Sequence, residues 1–181
     1  MTPVQEIVGL FETAGARAYL GEPVTQLQHA LQAARLAVHE QAPPSLICAA
    51  LLHDIGHLLA GAAEDTPSQD LLHESLGSEW LKERFPEAVS SPVRLHVAAK
   101  RYLCTVEPAY LACLSEASLH SLHLQGGLMS DAEVAAFTAE PFHADAVALR
   151  RWDDAAKDPS LPVPPLGEYE ELLRRLCGPS R

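Results

Sequence analysis

The chemistry in this 181-residue chain is concentrated in its nine histidines, and the most informative of them is His53, which is followed directly by Asp54. The pair lies in Ser45-Leu-Ile-Cys-Ala-Ala-Leu-Leu-His53-Asp54-Ile-Gly-His57-Leu-Leu, a run that is apolar all round. Such a run reads as a helix in the core of a bundle rather than on its surface. An imidazole and a carboxylate buried together are costly unless they pair with each other or bind a cation. A divalent ion satisfies both at once, and a plain Asp–His hydrogen bond is the alternative. His57, one turn after His53, reads either as a hydrogen-bond partner of a ligand or as a satisfied core histidine. His39, His120, His123 and His143 read as partly exposed and without a role.

Holding such a pair requires a scaffold with a real core, and 48% hydrophobic against 20% charged residues supplies one. The length predicts one domain over residues 1–181. Apolar positions recur with the helical period, and alternating Val/Ile/Thr/aromatic runs are missing, so the expected fold class is all-α, a single helical bundle. Helices are expected at 2–18, 24–41, 44–60, 69–84, 91–103, 108–124, 131–138, 141–157 and 167–177. Pro92, Pro108 and Pro141 suit first helical positions, where a missing N–H costs nothing, and Ser130-Asp131-Ala132-Glu133 has the form of a capping box. Gly126-Gly127 ends a helix. The proline-rich stretch 158–167 reads as a stiff connector to a last helix that packs across the bundle, and Gly61 to Ser68 as the other long loop.

Thirteen Lys and Arg against 24 Asp and Glu give a formal net charge of −11, which argues against non-specific binding to nucleic acid or to acidic membranes. The first residues lack the basic character of a signal peptide and no apolar run is long enough to span a bilayer, so a cytoplasmic protein is expected. Cys48, Cys104, Cys113 and Cys177 form no CxxC pair, and three of them lie among apolar neighbours, as buried reduced thiols would.

A His-Asp dipeptide on a hydrophobic helix, with His29 24 positions before His53 and further His and Asp after it, resembles the HD-domain superfamily of metal-dependent phosphohydrolases and oxygenases. The matching positions are His29, His53, Asp54, His73, His96 and Asp153. The two middle histidines, absent from the minimal pattern, imply two metal ions. If Asp54 bridges, one ion takes His29, His53, Asp54 and Asp153 and the other takes Asp54, His73 and His96. Coordination positions then remain for water, a bridging oxygen and substrate, as in an open catalytic site. Helical phase chooses Asp153 over Asp154: Phe142, Ala146, Leu149, Trp152, Asp153 and Ala156 share the apolar face, and Arg151, Asp154 and Asp158 the polar one.

Imidazole and carboxylate suit iron, manganese and zinc alike, so the neighbours must decide the chemistry. Lys100 shares a helix face with His96, and Arg150 lies three positions before Asp153. Ser118 and Gln125 add neutral donors. Cations converging beside metals in so acidic a chain read as a pocket for a phosphate or phosphonate, against the alternative of solvated surface charges.

Across residues 19–157 the chain resembles one branch, the HD-domain diiron phosphonate oxygenases. The likeness rests on Tyr19-Leu-Gly-Glu22-Pro-Val-Thr-Gln26-Leu-Gln28-His29, Leu95-His96-Val-Ala-Ala-Lys100-Arg101-Tyr102, Ser115-Glu-Ala-Ser118, Leu124-Gln125-Gly126-Gly127 and Leu149-Arg150-Arg151-Trp152-Asp153-Asp154-Ala-Ala-Lys157. The resemblance implies that Lys100, Ser118, Gln125 and Arg150 hold the phosphonate, with Tyr19 and Glu22 facing the substrate's amino end. It implies two iron ions, Fe(II)/Fe(III), with O2 as co-substrate. The small-molecule organophosphonate would be 1-hydroxy-2-aminoethylphosphonate or its N-trimethyl analogue, cleaved to glycine or glycine betaine and inorganic phosphate. The other reading on the same fold is a hydrolase of a nucleotide or small phosphoester. The loop Ala18 to Pro23, with its glycine and proline, is expected to gate the open metal position through Tyr19 and Glu22, the alternative being that these two residues merely cap and pack the following helix.

Overall fold

The computed structural model describes residues 2–19, 21–60 and 73–178. In chain order its helices are α1 (Pro3–Ala14), α2 (Gln26–His39), α3 (Pro44–Leu52), α4 (Ile55–Leu59), α5 (His73–Lys82), α6 (Glu87–Val106), α7 (Pro108–Ala112), α8 (Glu116–Leu124), α9 (Asp131–Thr138) and α10 (His143–Ala155). A 3-10 turn (Leu166–Tyr169) and α11 (Glu170–Leu176) follow. Among the described residues there is no strand, only an isolated bridge between Ala18 and Thr25, as an all-α fold requires. No described helix is long and apolar enough to cross a membrane. The expected loop from Gly61 to Ser68, and positions 69–72 of the expected fourth helix, lie outside the described residues.

α3 is the spine. Cys48, Ala49, Ala50 and Leu52 on it have no exposed surface, and it packs against α2 and α6, while α10 packs against the same two helices. Each fully buried leucine or isoleucine in this core contributes roughly 1.5–3 kcal/mol. Thr2, Thr25 and Ser130 close capping boxes at the starts of α1, α2 and α9. After the irregular connector, Tyr169 and Leu173 bury themselves in the same core as α3. A smaller cluster of Leu95, Ala99, Met129, Phe137 and Ala146 ties α9 to α6 and α10.

Four sequence expectations are corrected. The helix expected over 44–60 breaks at His53-Asp54, where Asp54 leaves helical geometry at φ −101°, ψ 14°. The helix expected over 108–124 breaks at Cys113 to Ser115, and Ser115 caps α8 by accepting from the Ser118 N–H. Pro92 is not a first helical residue: α6 begins at Glu87 and carries Pro92 inside it, near enough to the start that only a first-turn carbonyl loses its partner. Pro141 lies in the turn before Phe142, the N-cap of α10. Of the cysteines, Cys48 and Cys104 are buried, Cys177 is half-buried and Cys113 is exposed.

Candidate metal centre and substrate pocket

The break between α3 and α4 is what makes a site. Had the helix continued, Asp54 would project about a third of a turn round from His53. With the chain turned, Asp54 is the N-cap of α4, yet its carboxylate makes no capping bond and is aimed into the bundle. There its two oxygens face different partners. Oδ2 lies 3.6 Å from Nε2 of His29 (α2) and 3.4 Å from Nε2 of His53. Oδ1 lies 3.6 Å from Nε2 of His73 (start of α5) and 3.7 Å from Nε2 of His96 (α6). Asp153, from α10, places Oδ1 3.3 Å from His29 and 3.8 Å from His53. The structure thus brings all six expected ligand residues together, with Asp54 between two pairs of imidazoles.

The hydrogen bonds of the imidazoles fix which nitrogen faces inward. Nδ1 of His29, His53 and His96 lies against the carbonyl oxygens of Ala156, Ala50 and Val93, at 2.9, 2.9 and 2.6 Å. A carbonyl only accepts, so each Nδ1 donates and each neutral ring turns an Nε2 lone pair inward. Nε2 of His29 and His53 are 3.0 Å apart, and those of His73 and His96 3.2 Å. Lone pairs at that distance repel unless positive charge lies beside them. Asp54 Oδ2 and Asp153 Oδ1 are buried with no hydrogen-bond partner among the described residues. Imidazole lone pairs and orphaned carboxylate oxygens together are a donor set for cations, and the six residues fit two ions sharing Asp54.

The electrostatics agree. Burial works against a charge on His53, but Asp54 and Asp153 outweigh it and push its pKa up to about 9, the mark of a site whose carboxylates favour positive charge. Burial and the neighbouring His73 push His96 down to about 3, which keeps it a neutral ligand. Burial opposes ionisation of Asp153 too, and the Arg150 guanidinium nonetheless holds it well below the usual carboxylate range.

Two further side chains touch this centre. His57 stacks on His73 with ring centroids 4.1 Å apart, and it falls with Asp54 and His73 in a group close enough to hold an ion. Tyr19 stacks on His29 at 3.9 Å, and burial together with the Asp153 and Asp54 carboxylates pushes its phenol well up. Its loop turns at Gly21, φ 70°, where Glu22 N–H donates to the Tyr19 carbonyl. Gln32, one turn after His29 on α2, clamps the Asp158 backbone and so brings the end of α10 to His29.

A cavity of about 360 Å³ opens from the ligands and is lined by the expected Tyr19, Glu22, Lys100, Ser118, Gln125 and Arg150. Lys100 is 2% exposed and donates to Ser121 Oγ at 2.7 Å. Arg150 bonds Asp153 at 2.7 Å, pairs with Asp154, and donates to the Tyr110 hydroxyl at 3.2 Å. Gln125, the C-cap of α8, has a buried carbonyl oxygen without a hydrogen-bond partner among the described residues. Glu22 Oε1 accepts from Ser115 Oγ at 2.6 Å and from Lys157 Nζ at 3.0 Å, and Lys157 also donates to Ser118 Oγ at 2.9 Å. Sequence reasoning assigned no role to Lys157, Ser115, Ser121 or Tyr110. Lys157 follows Asp153 by four positions, a spacing that could have drawn attention to it. His120, expected to be without a role, stands at the cavity wall.

The HD-domain family model matches residues 26–139, which contain five of the six ligand candidates and stop short of Asp153. The chain is 49% identical to a hydroxymethylphosphonate dioxygenase of Gimesia maris, over 93% of this chain and 86% of that protein. It is 42% identical to a [1-hydroxy-2-(trimethylamino)ethyl]phosphonate dioxygenase (glycine-betaine-forming) of Leisingera caerulea, over 96% and 89%. The chain belongs to the HD-domain family, on its phosphonate-oxygenase branch. A metal centre built from the His and Asp clusters accords with an HD-domain enzyme.

One consequence separates Asp153 from Asp154 in this HD-domain site. Asp153 is 1% exposed and faces His29, whereas Asp154 pairs with Arg150 and Tyr110 beyond the ligands. Asp153→Ala is expected to lower metal content per chain sharply, and Asp154→Ala to leave it near wild type, as measured by elemental analysis. Equal losses would show that the inward face was assigned wrongly.

Proposed function

We propose that this chain works as a single HD domain that binds two iron ions, Fe(II) and Fe(III), and uses O2 to cleave the carbon–phosphorus bond of a 1-hydroxyphosphonate. One observation carries the reading: Asp54 divides its oxygens between two imidazole pairs at the floor of a cavity lined by Lys100, Arg150 and Lys157. When bound, the ions would activate O2 and anchor the substrate hydroxyl, held by His29, His53, Asp54 and Asp153 on one side and Asp54, His73 and His96 on the other.

The protein's own groups position the substrate. Lys100 and Arg150 present fixed positive charge, with Ser118 and Gln125 as hydrogen-bonding partners, to the phosphonate. Arg150 remains charged in spite of burial, because Asp153 and Asp154 more than offset the cost. Tyr19 and Glu22 face the substrate's carbon end. The overall reaction balances as hydroxyphosphonate plus O2 giving a carboxylate, inorganic phosphate and a proton. The carbon is oxidised, O2 is reduced, and both oxygen atoms enter products. A C–P bond has no good leaving oxygen, which is why oxidation rather than hydrolysis suits this substrate.

The test is phosphate release from hydroxymethylphosphonate and from 1-hydroxy-2-aminoethylphosphonate by the iron-loaded protein, with and without O2. Release that requires O2, with about one O2 consumed per phosphate, is expected. Release that proceeds equally fast under argon would make the protein a hydrolase.

A further inference from the structure

None of the residues of the short helix α7 is buried, and what it brings inward is the hydroxyl of half-buried Tyr110. That hydroxyl meets α10. It accepts from Arg150 Nε at 3.2 Å and donates to Asp154 Oδ2, while the same Nε lies 3.0 Å from Asp154 Oδ2 and Nη2 pairs with Asp154 Oδ1. Burial pushes the phenol's pKa up and Asp154 adds to it, against the opposing pull of Arg150, so the hydroxyl keeps its proton for Asp154. Arg151 also holds this helix: its guanidinium lies over the Tyr110 ring at 6.0 Å and bonds Glu107, the N-cap of α7, at 2.6 Å. Arg150 turns its remaining nitrogen, Nη1, to Asp153 Oδ2 at 2.7 Å. Together these contacts engage the Nε–H and one N–H of each terminal nitrogen. A second N–H remains on each, on a guanidinium that lines the cavity, a planar fork suited to two oxygens of a phosphonate. Arg150 and Asp154 belong to the same helix, so their pairing fixes the fork only relative to α10. Tyr110 ties it to a second element, and does so from outside the cavity lining.

We infer that Tyr110 is a positioning residue for substrate binding: its hydroxyl, shared between Arg150 and Asp154, fixes the plane of the Arg150 guanidinium so that one part of it holds Asp153 and another receives the phosphonate. This rests on the reading that Arg150 holds the phosphonate, and deepens it. An arginine side chain held in place before substrate arrives loses less freedom on binding. Without the hydroxyl the phosphonate must order the fork itself. Affinity then falls for every ligand that carries this anionic group, whatever its carbon end, while the metal ligands keep their partners.

The experiment measures Kd by calorimetry under argon for hydroxymethylphosphonate, 2-amino-1-hydroxyethylphosphonate and inorganic phosphate, and kcat and KM in air for the two phosphonates. The proteins are iron-loaded wild type, Tyr110→Phe, which keeps the ring beside Arg151, and Glu107→Gln, which loosens the docking of α7 without touching the hydroxyl. In Tyr110→Phe, Kd and KM are expected to rise about tenfold, by the same factor for each ligand to within about twofold, with kcat and iron content near wild type. Glu107→Gln is expected to keep wild-type affinities. In an Arg150→Lys background, whose amine has no fork to orient, Tyr110→Phe should add less than about twofold. An unchanged Kd in Tyr110→Phe overturns the inference, and so does a loss confined to one phosphonate. An equal loss in Glu107→Gln, which would trace the effect to the docking of the helix, or the full loss in the Arg150→Lys background does the same. If Arg150→Lys binds too weakly to measure, the comparison of Tyr110→Phe with Glu107→Gln decides. Binding as expected without O2-dependent turnover would refute the oxygenase reading alone, and a wild type that binds none of the three ligands would overturn both.

Discussion

Asp54→Ala is expected to remove both metal ions and to abolish turnover, a larger effect than losing any single histidine. Each histidine faces one side of the centre, whereas Asp54 supplies Oδ2 to His29 and His53 and Oδ1 to His73 and His96. Burial opposes ionisation of this carboxyl, and His53, His57 and His73 nonetheless hold its pKa far below the ordinary range, so it is an anion at any working pH. Removing it leaves the inward imidazole nitrogens without the charge that would draw a cation among them. A catalytic ion typically supplies several kcal/mol of transition-state stabilisation. At about 1.4 kcal/mol per tenfold, losing one ion lowers kcat/KM by on the order of a thousandfold, and losing both abolishes turnover. Elemental analysis should find close to no metal in Asp54→Ala. A variant that kept one ion per chain would show that the two sides are held independently.

Gly56→Ala is the second large effect, and it acts without touching any ligand atom. A Cβ at Gly56 would lie 2.7 Å from the carbonyl carbon of His73, closer still to its oxygen, and 3.0 Å from its Cα. These are backbone atoms and cannot swing aside as a flexible side chain would. On the other side of the crossing, a Cβ at Gly77 would come within 3.2 Å of the Gly56 nitrogen, so α4 and α5 meet backbone to backbone. Overpacking of this kind costs roughly 1–3 kcal/mol or more, and at about 2–4 °C per kcal/mol for a domain of this size the expected fall in Tm approaches about 10 °C. The strain is relieved by moving the start of α5, which carries His73. Metal content should therefore fall toward one ion per chain, the survivor being held by His29, His53, Asp54 and Asp153. An unchanged Tm with two ions retained would mean that α5 accommodates the methyl group.

The ligand residues themselves were legible in the sequence because their signals are local. An apolar run around His53-Asp54 announces a buried polar pair, and the 3.6-residue period places Asp153 on the same face as Leu149 and Trp152. Asp153 lies beyond the matched 26–139 segment, so it was helical phase and resemblance, rather than the family match, that pointed to it. The all-α class and the capping box at Ser130 follow from the same short-range patterns. The proline rule worked where Pro108 opens α7 and failed at Pro92 and Pro141, because proline forbids only one hydrogen bond and says little about where a helix began before it.

The two helix breaks were not legible, and each turned out to build part of the site. No glycine or proline marks Asp54 or Leu114 as an interruption; those turns are set by what the flanking helices pack against. The break at Asp54 aims its carboxylate between the imidazole pairs, and the one before Ser115 frees a hydroxyl to reach Glu22. By itself, the sequence determined which residue types could bind metal and which helical faces they occupy, since spacing along a helix translates directly into angle. Only the tertiary structure decided that Lys157 meets Glu22 and Ser118, and that Gly56 touches the backbone of His73. Those distances run between elements, where they depend on how whole helices dock, and docking is the sum of many weak contacts that no spacing along the chain encodes.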